Sequence, residues 1–442
     1  MSKSMKSFAS LFQTPKFQFT PKATAMRSIA FLKLFAIAVF YPVFAEASDQ
    51  IPGKPQEKPI AIVGATIHPI AGETIERGVI VFEKGVIAGI GETATLPDGC
   101  VVVQADGKHV YPSLIEAYSD IGLVEINSVR ASVDSREVGE FNPNVRAAAA
   151  FNPDSELIPV NRANGILLAV TAPGGGRIAG RSSMMMLDGW TWEDMTLKAD
   201  VGMHVSWTNR QDELQELKQL LGQARRYMSA RQAGDQPMDL RLEALQPVLS
   251  GKIPWVVDAD SPEEIRSAVA FAVAENLRLI VKGGPGAIEC AELLVAQKVP
   301  VIVSGVYRTP RRRHHPYDGP YALPGNLERA GIEFCISAGG RFGASGIRNL
   351  PYHVGTAVAY GLSEKAALES ITLNPARILG IADRVGSLVT GLDATLILTD
   401  GNILETPTKV ELAFIQGRAV DLNNKHKQLY RKYTEKYERQ SE

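Results

Sequence analysis

The chain has 442 residues, 45% hydrophobic and 21% charged, with 39 glycines and 26 prolines. That composition excludes a collagen-like, a fully disordered and a disulfide-scaffold protein. With 47 basic and 48 acidic residues there is no global field to recruit nucleic acid. Three cysteines, Cys100, Cys290 and Cys335, lie far apart and form no zinc pattern.

Residues 1–33 carry six bases and no acid, and an uncharged run follows from Leu34 to Ala45. The run is shorter than the roughly 20 residues of a bilayer span. Ala45 and Ala47 form an A-x-A cleavage pattern, so 1–47 reads as a signal peptide for export to the periplasm or beyond. Its six bases and one acid leave −6 on the remainder, with no membrane span expected there. Residues 48–58 are a polar, proline-rich linker.

Short β-branched runs then alternate with glycine turns over 59–110: Ile60–Ile67, Gly78–Phe82, Gly85–Ile90 and Val101–Val103. Ala394–Leu398, Val410–Ile415 and Arg418–Val420 read the same way within 385–422. Between these flanks, over 111–384, strands alternate with helices. Ile253–Val257 precedes a helix from Ser261, and Leu277–Val281 precedes a helix over 286–297. Val299–Val303, Ile332–Ile336 and a helix over 363–380 follow. Such alternation predicts a parallel sheet covered by helices, and its length favours a closed (β/α)8 barrel. Ser182–Leu187 with Trp190 and Trp192 reads as core. The segment 423–442 places Leu429, Tyr430, Tyr433 and Tyr437 at helical spacing and reads as an amphipathic helix docked on the body.

Gly107–Gly122, G-K-H-V-Y-P-S-L-I-E-A-Y-S-D-I-G, resembles the segment by which the amidohydrolase superfamily enters its barrel. Thr372–Gly380 followed by Gly386–Ala394 is similar to that superfamily's T-x-N-P-A-x-x-L-G and G-x-L-x-x-G-x-D-A segments. The likeness runs over about residues 59–420 and points to imidazolonepropionase-related members. It implies a distorted (β/α)8 barrel with a small β-sandwich built from both chain ends. It also implies hydrolysis of C–N bonds at a zinc or other divalent ion, and a homodimer as one assembly.

The positions that would hold such an ion read differently here. Tyr118 and Asp120 stand for the first histidine pair, Asp258 for the strand-five histidine, Lys282 for the strand-six histidine and Ala338 for the strand-eight aspartate. A lysine ammonium repels a cation and a phenol is a weak ligand. No metal site or other cofactor is therefore assigned, and the chain reads as a relative that has lost the metal ligands and binds a small molecule at the barrel mouth. An active hydrolase with a rewired site, using Asp258, Asp120 and His353, is the alternative, and an envelope partner-binding protein is a third. Tyr118, Lys282, Arg177, Arg341 and Arg348 are the candidate ligand-binding residues; Arg177 closes the glycine-rich loop Gly174–Gly176, and Arg341 and Arg348 follow strand eight. Asp120 and Asp258 read equally as solvated or salt-bridged cleft residues, for instance with Lys282. His204 reads as part of an irregular stretch.

Overall fold

A computed structural model describes residues 50–441, apart from 235–236, 311, 314 and 340–342. The signal-peptide reading of 1–47 lies outside the described residues. Strands β1 (Ile60–Ile67), β2 (Ile75–Glu83), β3 (Val86–Gly91), β4 (Val101–Gln104) and β5 (His109–Pro112) come from one flank. The other flank supplies β14 (Leu396–Thr399), β15 (Val410–Ile415) and β16 (Arg418–Ala419). They form one hydrogen-bonded sheet, β16-β15-β14-β5-β1-β2-β3, in place of two separate layers. β1 changes partner midway: Ile60–Val63 pair with β4, and Thr66–Ile67 with β5. Both pairings are parallel, so only β1–β2–β3 and β5–β14–β15–β16 follow the antiparallel pattern expected. Ile62, Ile80, Phe82, Leu396 and Phe414 fill the core of this sheet.

The second sheet also has eight strands. These are β6 (Leu114–Ser119), β7 (Ile166–Thr171), β8 (Ile178–Met186), β9 (Thr196–Ser206), β10 (Trp255–Ala259), β11 (Leu279–Gly283), β12 (Val301–Ser304) and β13 (Phe334–Ser337). The strands follow one another in chain order around a nearly closed barrel. The order departs from eight repeated β/α units at β8, which runs antiparallel to both β7 and β9. A short loop joins β7 to β8, and only the one-turn helix Trp192–Met195 separates β8 from β9. Met184 and Met185 of β8 are fully buried, as a core reading requires, whereas Trp190 is 67% exposed at the turn.

Barrel strands β10–β13 each begin two residues later than the apolar runs suggest. Pro254 and Pro300 have no N–H to give a ladder, so pairing starts after them. Leu277 is still held by the preceding helix, donating its N–H to Ala272 O at 2.9 Å behind the left-handed C-cap Asn276. That helix, Pro262–Glu275, opens with a capping box between Ser261 and Glu264.

The barrel seam lies between β6 and β13. Over its lower part the residues Ser370–Ile371 are wedged in: Ile115 N donates to Ile371 O (2.8 Å) and Ile336 N to Ser370 O (3.0 Å). This insertion breaks the single helix expected over 363–380 into Glu364–Glu369 and Leu373–Ile378. The C-terminal helix Lys425–Ser441 forms, and its aromatic stripe is largely exposed: Tyr430 is 73% exposed and Tyr437 62%. Among the described residues, no helix is long and apolar enough to cross a membrane.

Candidate functional site: the barrel mouth

The C-terminal ends of the parallel strands define the mouth. Register places Asp258 of β10 beside Lys282 of β11 and Ser206 of β9. Lys282 Nζ lies 2.9 Å from Asp258 Oδ2 and 3.9 Å from the centre of the Tyr118 ring. Tyr118 in turn leans on the buried His204 ring, with centroids 5.4 Å apart. Tyr118, Asp258 and Lys282 thus meet, and they are joined by His204, which belongs to β9 rather than to an irregular stretch.

The electrostatics follow from this contact. Burial pulls the Lys282 pKa down, but Tyr118 and Asp258 push it up further, so the ammonium ends above the usual lysine value. It therefore stays charged at neutral pH. Burial and the Lys282 charge together lower His204 to about 3, so its imidazole is neutral and exchanges a 2.8 Å hydrogen bond between Nε2 and Ser182 Oγ. The Lys282 side chain is 11% exposed and that of Asp258 is 55% exposed. The cation is fixed, and its partner faces solvent.

The other candidates are held elsewhere. Asp120 turns toward the segment after β13, where its Oδ1 accepts from Ala344 N at 2.6 Å, and burial raises its pKa. His353 is buried; its Nδ1 accepts from Val306 N at 3.1 Å, its ring packs on Tyr307, and burial lowers it to about 4. Arg177 is ion-paired with Glu213, which also takes Arg210 at 3.1 Å. Gly176 beside it serves close packing, since a Cβ there would meet Gly139 O at 2.7 Å. Arg348 lies at the other end of the barrel: its carbonyl accepts from Asn164, just ahead of β7, and its guanidinium is 3.4 Å from His426 Nδ1. Arg341 lies outside the described residues.

Glu116 escapes a reading based on the expected ligand positions. It is fully buried in β6 and spans the upper seam, accepting from Ala338 N (2.9 Å), Tyr118 N (3.1 Å) and the Ser337 hydroxyl. Burial drives its pKa up to about 7 against those hydrogen bonds. Its one sequence signal is an acid in the middle of the apolar run Leu114–Ala117. By holding Tyr118 N it fixes the strand that carries the ring beneath Lys282.

These groups fit a divalent ion poorly. The ammonium of Lys282 already neutralises Asp258 and sits over Tyr118, and Glu116 is enclosed by its own donors. Among the described residues, no three His, Cys, Asp or Glu side chains gather as a ligand set.

Residues 322–423 match the family model "Amidohydrolase family". A crystal structure of an amidohydrolase from Thermotoga maritima MSB8 is 25% identical, with TM-score 0.76 over 82% of this chain and 99% of that one. A prolidase complexed with N-methylphosphonate-L-proline is similar in fold at 13% identity and TM-score 0.52, over 82% of this chain and all of its own. Molinate hydrolase is similar at 12% identity and TM-score 0.50, over 84% of this chain and 96% of its own. No curated protein matches the sequence. Residues 322–423 thus resemble the amidohydrolase family, and the fold is similar to that of a solved amidohydrolase.

Proposed function

We propose that this protein is an exported, metal-free relative of the amidohydrolases whose barrel mouth binds a small carboxylate-bearing molecule. The observation that carries the reading is the buried Lys282 ammonium standing between Asp258 and Tyr118. A fixed cation whose own carboxylate partner is solvent-facing can exchange that partner for a ligand carboxylate. Tyr118 supplies a flat apolar wall beside it, and neutral His204 adds no competing charge. Export rests on residues 1–47, and mass analysis of the native protein is expected to find Ser48 at its start; an intact leader overturns that part.

The binding test is a calorimetric titration of small carboxylates, with a parallel assay on imidazolones and lactams. Lys282→Met is expected to weaken carboxylate affinity about tenfold or more, the worth of one charge-assisted hydrogen bond. No turnover is expected in the parallel assay. Equal carboxylate affinity in wild type and Lys282→Met overturns the reading. The exposed carboxylate of Asp258 favours one alternative, a hydrolase that uses it as base with Lys282 holding the substrate. Turnover that disappears in Asp258→Ala would establish that alternative.

A further inference from the structure

The far end of the barrel carries a hollow that the mouth does not use. It opens beside the first residues of β11, β12 and β13 and encloses about 450 Å3. That volume is within the range of small-ligand sites, about 300–1,000 Å3. Its lining is apolar at the exposed Val273 and the half-buried Leu277, next to the buried Val269, Ala272 and Val299. Its rim is basic, with Arg278, Lys298 and Arg377 set against a single acid, Glu333. This sign opposes that of the protein as a whole, since residues 48–442 carry −6.

Arg278 is the natural anchor. Its Nη2 donates to Ile378 O at 2.7 Å, which fixes the guanidinium at the edge of the hollow. A guanidinium offers about five donors in a rigid fork, so an anchored arginine keeps the geometry to grip an anion. Three basic side chains and one acid give the rim a net positive charge. An anion seated there meets that charge, and the apolar lining beside it takes a hydrocarbon chain or ring at the same time.

We propose that this hollow binds an anionic amphiphile, with a carboxylate, sulfonate or phosphate head held by Arg278 and Arg377 and an apolar body against Val273 and Leu277. The test is a fluorescence titration with 8-anilinonaphthalene-1-sulfonate, which joins a sulfonate to an aromatic body. Saturable binding is expected, displaced by decanoate and not by decanol or inorganic phosphate, because head and tail are both needed. Val273 lines the hollow yet is 57% exposed, so Val273→Asp adds a repelling charge without touching the core. That variant, and Arg377→Gln, are each expected to weaken the dye about tenfold, as loss of one charge contact would. Lys282→Met is expected to leave dye affinity unchanged. Unchanged affinity in Val273→Asp, displacement by decanol as effective as by decanoate, or loss of dye binding in Lys282→Met overturns the proposal.

Discussion

Glu116→Ala is expected to destabilise the protein by about 2–5 kcal/mol, because buried N–H groups left without an acceptor cost about 1–3 kcal/mol each. The Ser337 hydroxyl can turn to another acceptor, and it already lies 3.0 Å from Tyr118 O. The N–H groups of Tyr118 and Ala338 cannot turn. Urea unfolding of the variant checks the size. Glu116 also makes stability depend on pH. Burial raises its pKa from an ordinary 4.5 to about 7, so the folded protein keeps a proton that the unfolded chain releases. Its contribution is complete below the unfolded value and is lost as pH rises toward 7, a change of about 3 kcal/mol.

Three histidines oppose this trend. Burial lowers His68 and His353 to about 4 and His204 to about 3, so their contributions are lost as pH falls below the unfolded value. The Glu116 effect is therefore read as the difference between wild type and Glu116→Gln. That difference is expected to fall between the two Glu116 values and to flatten above pH 7. A difference that stays level across the window contradicts the assignment.

Asp188→Ala is expected to cost about 3–5 kcal/mol, the penalty for stranding a buried charge. Arg162 Nη1 donates to Asp188 Oδ1 at 2.7 Å, and the two side chains are only 4% and 2% exposed. Asp188 Oδ2 accepts from Gly53 N at 3.0 Å and lies 3.5 Å from Arg418, while Arg162 Nη2 donates to Gln50. One pair thus ties residues 50–53 and β16 to the barrel. The double variant Arg162→Met, Asp188→Leu is expected to recover most of the loss, because no charge is left behind. Thermal unfolding of both proteins decides this, and a double variant as unstable as Asp188→Ala contradicts it.

Residues with a local physical rule were readable in advance. The β-branched runs became strands, and Ser261-Pro-Glu-Glu became a capped helix start because its hydrogen bonds are made within one turn. The meeting of Asp258 and Lys282 also follows from sequence, since both stand near the ends of neighbouring parallel strands. Strand direction was not readable: Ser182–Leu187 reads only as core, and a core segment carries the same pattern whichever way it is paired. His204 was missed for the same reason. Its partner Ser182 comes from β8, and the antiparallel pairing of β8 with β9 brings the two together. The aromatic period of Leu429–Tyr437 gives the helix correctly and says nothing of whether its stripe is covered.

At the barrel mouth the charged Lys282 neutralises Asp258, and among the described residues no set of metal ligands gathers. Metal analysis of the purified native protein, repeated after incubation with zinc and buffer exchange, tests this most directly. The expected result is zinc, iron and manganese all far below one ion per chain, with Lys282→Met no richer in metal than wild type. An ion retained in equal number to the chains, and lost in Asp258→Ala, would contradict it.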